Sequence, residues 1–215
     1  RQNRKNSIVF ASTDILEKRR REIEITQAVS NAIINSSFKV YFQPIYSLKE
    51  KRYTKMEALV RLIDENLGFI PPDEFIPIAE KNGDILAIGE IVLEKVCAFI
   101  EEYHPEDYGI KSIHVNLSVV QCMQENIGIR LLNIIDKYKI PHGLIDFEIT
   151  ESTADNTSEN LDRIMDEFNK KGIDFSLDDY GTGYSNIRRI ALMPLKIVKM
   201  DKAFIDEISS VKMQS

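Results

Sequence analysis

Apolar and polar residues alternate with two different rhythms along this chain. Residues 55–64 read KMEALVRLID, a near-perfect two-residue alternation, which is the rhythm of a strand. It sends Glu57, Leu59 and Arg61 to one face and Met56, Ala58, Val60 and Leu62 to the other. An acid and a base therefore share a face. The same criteria predict six strands, over residues 38–48 (broken at Pro44), 52–63, 111–118, 144–150, 173–179 and 195–200. Helical spacing falls between them. A short helix over 73–83 is closed by Gly83, and a long amphipathic one runs over 84–103. Further helices are expected over 119–139 and about 157–171, the latter ended by Gly172, with a short one opening at the Gly-rich turn 180–185.

Ahead of this pattern, residues 13–36 carry an irregular apolar stripe (Ile15, Ile23, Val29, Ile33) after the capping residues Thr13 and Asp14. Residues 6–12, NSIVFAS, read as the last strand of a preceding domain. The division is thus residues 1–37, a linker helix with a remnant before it, and 38–215, the main domain. Strands alternating with helices imply an α/β fold with a parallel sheet and right-handed crossovers. A doubly wound sheet and a (β/α) barrel both satisfy the count.

The polar residues separate these two. Gln43 is read as ending the first strand, and Glu57 and Arg61 lie in the second. Asn116 ends the third, and Glu148 lies near the end of the fourth with Glu151 just beyond. Asp178 and Asp179 end the fifth, and Lys199 and Asp201 the sixth. A ring of polar groups at one end of a parallel sheet is what a barrel active site requires.

Charge and composition narrow the partners. The formal net charge of −6 argues against a nucleic-acid polymer, while acids that hold metal ions still admit a phosphorylated substrate. The chain has no apolar run of membrane-spanning length and no signal-peptide pattern. Cys97 and Cys122 sit in apolar surroundings without metal-ligand spacing and read as buried, reduced thiols. A cytoplasmic location is expected, either free or as the cytoplasmic part of a membrane-anchored parent. The first residue is Arg1 rather than Met, so the expectation is a piece of a longer protein. His104, His114 and His142 lack ligand spacing and read as structural or exposed.

Several carboxylates and an amide oxygen converging on one mouth repel one another unless cations neutralise them. All are oxygen ligands, so hard ions such as Mg²⁺ or Mn²⁺ fit. There are enough acids for two ions, a number suited to phosphodiester cleavage. Arg61 suits a phosphate oxygen, and Lys199 suits an attacking water or the charge of the transition state. Taken singly, paired aspartates before YG read as a turn, Asn116 as a helix cap, Arg61 as a salt-bridge partner and Glu151 as a loop anchor. The ordered set is what carries the chemistry.

EALVR at 57–61 resembles the signature of the EAL domains, bacterial phosphodiesterases that linearise cyclic di-GMP. The blocks YFQPI (41–45), FIPIAE (75–80), VNLS (115–118), FEITES (147–152), DDYGTGYS (178–185) and MPLKIVKMDKAFI (193–205) follow in the family's order. The resemblance implies a modified (β/α)8 TIM-like barrel, of which this chain supplies about the first six strands. It implies that Glu57, Asn116, Glu148, Asp178 and Asp179 are metal ligands, with Glu57 and Lys199 catalytic. Gln43, Leu59 and Arg61 would contact the dinucleotide. Glu151 would hold the loop after the fifth strand, a region through which a homodimer is expected. The leader is similar, more loosely, to the end of a GGDEF domain, so a tethered GGDEF or sensory domain is expected in the parent. The family's EGVE-like and QGY-like blocks and its last two strands do not precede Ser215, and Lys196 stands where the family more often has an acid. The expectation is a C-terminally incomplete domain with little or no turnover of its own. The expected function of the parent is metal-dependent hydrolysis of cyclic di-GMP to linear pGpG. The alternatives are a non-catalytic cyclic di-GMP receptor and, further off, a barrel enzyme with Lys199 as a Schiff-base lysine.

Overall fold

The computed structural model describes residues 13–156, 159–181 and 187–211. Residues 6–12 of the expected remnant strand and residues 182–186 of the expected dimer region lie outside them. Only residues 48–51 separate strand β1 (Lys39–Ser47) from strand β2 (Arg52–Asp64), too few for a parallel crossover. The two pair antiparallel, with Gln43 opposite Glu57. The sheet is therefore mixed rather than purely parallel. Pro44 does not break β1. The strand runs through it and shifts register only between Ile45 and Tyr46. Among the described residues β1 has β2 as its sole neighbour, and an edge strand tolerates a residue that cannot donate to a ladder.

A three-residue strand, β3 (Gly68–Ile70), folds back on β2. It was too short to separate from a turn in the sequence. The remaining strands, β4 (Ser112–Asn116), β5 (Ile145–Thr150), β6 (Asp174–Tyr180) and β7 (Ile197–Met200), run parallel to β2 in the order β1-β2-β4-β5-β6-β7. The sheet curls into a half-barrel of the TIM-like kind.

Helices α1 (Thr13–Ile34), α2 (Pro72–Asn82) and α3 (Ile85–Tyr103) come before β4. The helix expected over 119–139 is two: α4 (Val119–Cys122), opened by a Ser118–Gln121 capping box, and α5 (Ile127–Tyr138). A short helix, α6 (Glu151–Asn156), follows β5 directly, and α7 (Glu159–Lys170), α8 (Ile187–Ile190) and α9 (Lys202–Val211) complete the set. Among the described residues no helix is long and apolar enough to cross a membrane.

Strand alternation separates two environments. Phe147 of β5 and Phe175 of β6 face outward onto Phe168 of α7, with ring centroids 5.7–5.9 Å apart and all three rings buried. Phe42 of β1 stacks on Phe99 of α3 at 4.1 Å. Ile25, Ala28, Val29 and Ala32 of α1 join the same core, and Arg21 pairs with Glu74 of α2 at 2.9 Å. The intervening residues point inward and are largely polar.

Phe168→Ala should lower the unfolding free energy by about 3–5 kcal/mol, since it removes the helix-side ring from a closed cluster. Urea denaturation checks this, and a loss below about 1 kcal/mol would contradict the packing described.

Candidate active site

Two-residue periodicity places a pair of polar side chains on the inner face of successive strands. These are Lys55 and Glu57 on β2, His114 and Asn116 on β4, Asp146 and Glu148 on β5, and Ser176 and Asp178 on β6, with Lys199 on β7. The second of each pair lies nearer the carboxyl end of its strand. Glu57, Glu148 and Asp178 present oxygens that all lie within 4.8 Å of one another. Lys199 stands among them. Its Nζ is 3.0 Å from Glu57 and 3.7 Å from Asp178, and it makes a direct ion pair with Glu148. Asn116 donates to Glu57 at 3.4 Å.

The protonation behaviour follows from these contacts. Burial works to lower Lys199, but the bond to Glu148 and the surrounding carboxylates hold it above the ordinary lysine value. Burial works to raise Glu148, but His114 and Lys199 pull it below the usual carboxylate value. Asp178 is raised, because its burial outweighs the pull of Lys199. Asp179, although exposed at the strand end, is partly desolvated there, and this together with the nearby charge of Asp201 raises it. The ammonium thus supplies the positive charge among the three carboxylates. One oxygen of Glu148, Oε2, is buried without a hydrogen-bond partner. Three carboxylates, one of them Glu148 with its unsatisfied oxygen, and the amide oxygen of Asn116 form a donor set that fits a hard divalent ion.

The other expected residues divide. Leu59 and Arg61 line a cavity of about 470 Å³ together with Glu57, Asn116 and Asp178. Arg61 donates to the carbonyl of Val60 at 2.9 Å and lies 5.9 Å from the Tyr41 ring. Gln43 does not end its strand. The antiparallel run of β1 puts it mid-strand, beside Glu57. Asp179 adopts φ 56° at the end of β6 and is exposed, outside the three-carboxylate group. Glu151 is buried and accepts a hydrogen bond from the Gly181 amide at 2.8 Å. A Cβ on Gly181 would stand 2.6 Å from Phe204, so only glycine fits that turn. Asp201 accepts from the Ala203 amide at 2.7 Å and serves as the cap of α9.

Lys55, Asp146 and Ser176, which the sequence does not single out, and His114, which it reads as structural or exposed, form a buried or half-buried polar layer beside these acids. His114 meets Glu148 at 2.5 Å and Lys55 at 3.3 Å, and Ser176 donates to Asp146 at 2.7 Å. The signal was present in the strands as the repeated spacing K-x-E, H-x-N, D-x-E and S-x-D. A histidine without ligand spacing can still be the hydrogen-bonded neighbour of a ligand.

The EAL domain family model matches residues 26–215. The signaling protein YkoW of Bacillus subtilis is 29% identical over 210 residues, covering 98% of this chain and 26% of that protein. The cyclic di-GMP phosphodiesterase PdeL of Escherichia coli is 29% identical over 191 residues, covering 85% of this chain and 52% of PdeL. The solved structure of the PaMucR phosphodiesterase in complex with c-di-GMP superposes with a TM-score of 0.79 at 28% identity, over 86% of this chain and 75% of that one. The chain spans between a quarter and about half the length of these two curated relatives.

Lys199→Met leaves the Glu148 charge without its ammonium and should destabilise the metal-free protein by about 3 kcal/mol. The folded-state pKa of Lys199 lies above its ordinary 10.5, so this stabilisation is complete below that value and is lost as pH rises through the folded one. Urea titrations of both proteins across that range should therefore converge on the alkaline side.

Proposed function

The chain belongs to the EAL domain family, and we propose that it serves metal-dependent hydrolysis of cyclic di-GMP to linear pGpG. The observation that carries this reading is the convergence of Glu57, Glu148 and Asp178 on Lys199 at the carboxyl end of the parallel strands, in a chain similar to named cyclic di-GMP phosphodiesterases.

In this reading Glu57, Asn116, Glu148, Asp178 and Asp179 hold two Mg²⁺ or Mn²⁺ ions. When bound, such ions neutralise phosphate charge and make a water acidic enough to attack near neutral pH. The chain's own groups do the rest. Arg61, at the cavity wall, takes a phosphate oxygen, while Leu59 packs on a base and Gln43 contacts the dinucleotide from β1. Lys199, held as a cation, has only protons to donate. It orients the attacking water by hydrogen bonding and stabilises charge that builds on the phosphorus oxygens, and it does not act as a base. The proton that the water gives up passes to a carboxylate at the mouth or to solvent. Glu151, through Gly181, sets where the segment after β6 begins.

Incubating the full-length protein that carries this chain with cyclic di-GMP and Mg²⁺ or Mn²⁺ should yield pGpG, resolved by ion-exchange chromatography. Chelation should stop the reaction. Lys199→Met should lower kcat by about 10²–10³-fold with little change in KM. Tight nucleotide binding with no product at any metal concentration would replace this reading with that of a receptor.

A further inference from the structure

Barrel interiors are filled mainly by branched apolar side chains, yet here the layer directly beneath the three carboxylates is polar. His114 is 1% exposed, Asp146 1% and Ser176 0%. Buried polar groups of this kind persist when each has a partner, and here the partners form a directed chain. Lys55 approaches His114 Nε2 at 3.3 Å. An ammonium has only donors, so Nε2 must accept, and the ring proton then resides on Nδ1. Nδ1 faces Glu148 Oε1 at 2.5 Å. Asp146 Oδ2 lies farther from Nε2, at 3.8 Å, and is buried without a hydrogen-bond partner, while Asp146 Oδ1 accepts from Ser176.

The consequence falls on Glu148. One of its oxygens is held by His114 and Lys199, while the other, buried, is left without a partner. A carboxylate fixed at Oε1 from below presents Oε2 in one direction. Lys199 alone does not guarantee that aim, because its ammonium also serves Glu57 and Asp178. His114 has no contact with Glu57 or Asp178 among the described hydrogen bonds and ion pairs, so its bond is committed to Glu148.

We propose that His114, with its ring proton fixed by Lys55, is a positioning residue that aims the Glu148 carboxylate at a divalent cation. This rests on the metal-site reading given above. Partners of this kind, one bond behind a ligand, commonly alter metal affinity by about 10–100-fold when removed.

The test is calorimetric titration of the nucleotide-free protein with Mn²⁺ alone, alongside thermal unfolding. His114→Leu should raise the Mn²⁺ dissociation constant by about 10–100-fold. His114→Asn, whose amide nitrogen falls near the position of Nδ1, should stay within about threefold of the wild type. Should His114→Leu fail to fold, His114→Gln replaces it, since its amide reaches the place of Nε2 rather than Nδ1, and the same loss is expected. Equal Mn²⁺ affinity in the wild type and the loss variant, with only the melting temperature lowered, would overturn the positioning role and leave the metal site standing. No Mn²⁺ uptake by the wild type would overturn both.

Discussion

Three carboxylates within 4.8 Å of one another repel strongly unless a cation stands among them. In this protein that cation is the ammonium of Lys199, supplied by a strand at the far side of the sheet from Glu57. The ion pair joins β2 to β7 across the curl of the half-barrel, over a separation of 142 residues in sequence. It therefore ties the closing geometry of the fold to the electrostatics of the mouth. A divalent ion held by the same oxygen set would do this with greater charge.

The rest of the architecture makes that convergence possible. Outward-facing phenylalanines on β5 and β6 lock the strands to α7 and fix which residues point inward. A one-residue slip in register would exchange Phe147 for Glu148 and destroy both layers at once. The antiparallel start of the sheet brings Gln43 beside Glu57, so β1 reaches the site from its middle rather than its end. The contact from Glu151 to Gly181 then joins the segment after β5 to the one after β6.

The polar floor changes how the site is understood. Glu148 is as buried as the core phenylalanines, and a charged group there needs hydrogen bonds on the side away from solvent. His114 supplies one, and Lys199 supplies charge from above. The carboxylate is held from two directions, both at Oε1, while Oε2 is buried without a hydrogen-bond partner. The same layering accounts for the raised proton affinity of Asp146, which is buried with Ser176 and has His114 only at longer range.

Much of this was legible in the order of residues. Alternation in KMEALVRLID is enough to put Glu57 and Arg61 on one face, because the period of a strand is set by local backbone geometry. The strand-end acids and Lys199 could be assigned to one mouth because parallel strands joined by crossovers must end on the same side. What tertiary structure alone decided was anything that depends on pairing between distant strands. The direction of β1, the survival of Pro44 within an edge strand, the little strand β3 and the split of the helix after β4 all follow from neighbours that local pattern does not name. So does the role of His114. Its side chain carries no spacing that marks it as a ligand, and only the register that sets β4 against β5 brings its nitrogen to Glu148. A hydrogen bond between strands is a property of their stagger, and stagger is fixed by packing of the whole sheet rather than by the residues of either strand.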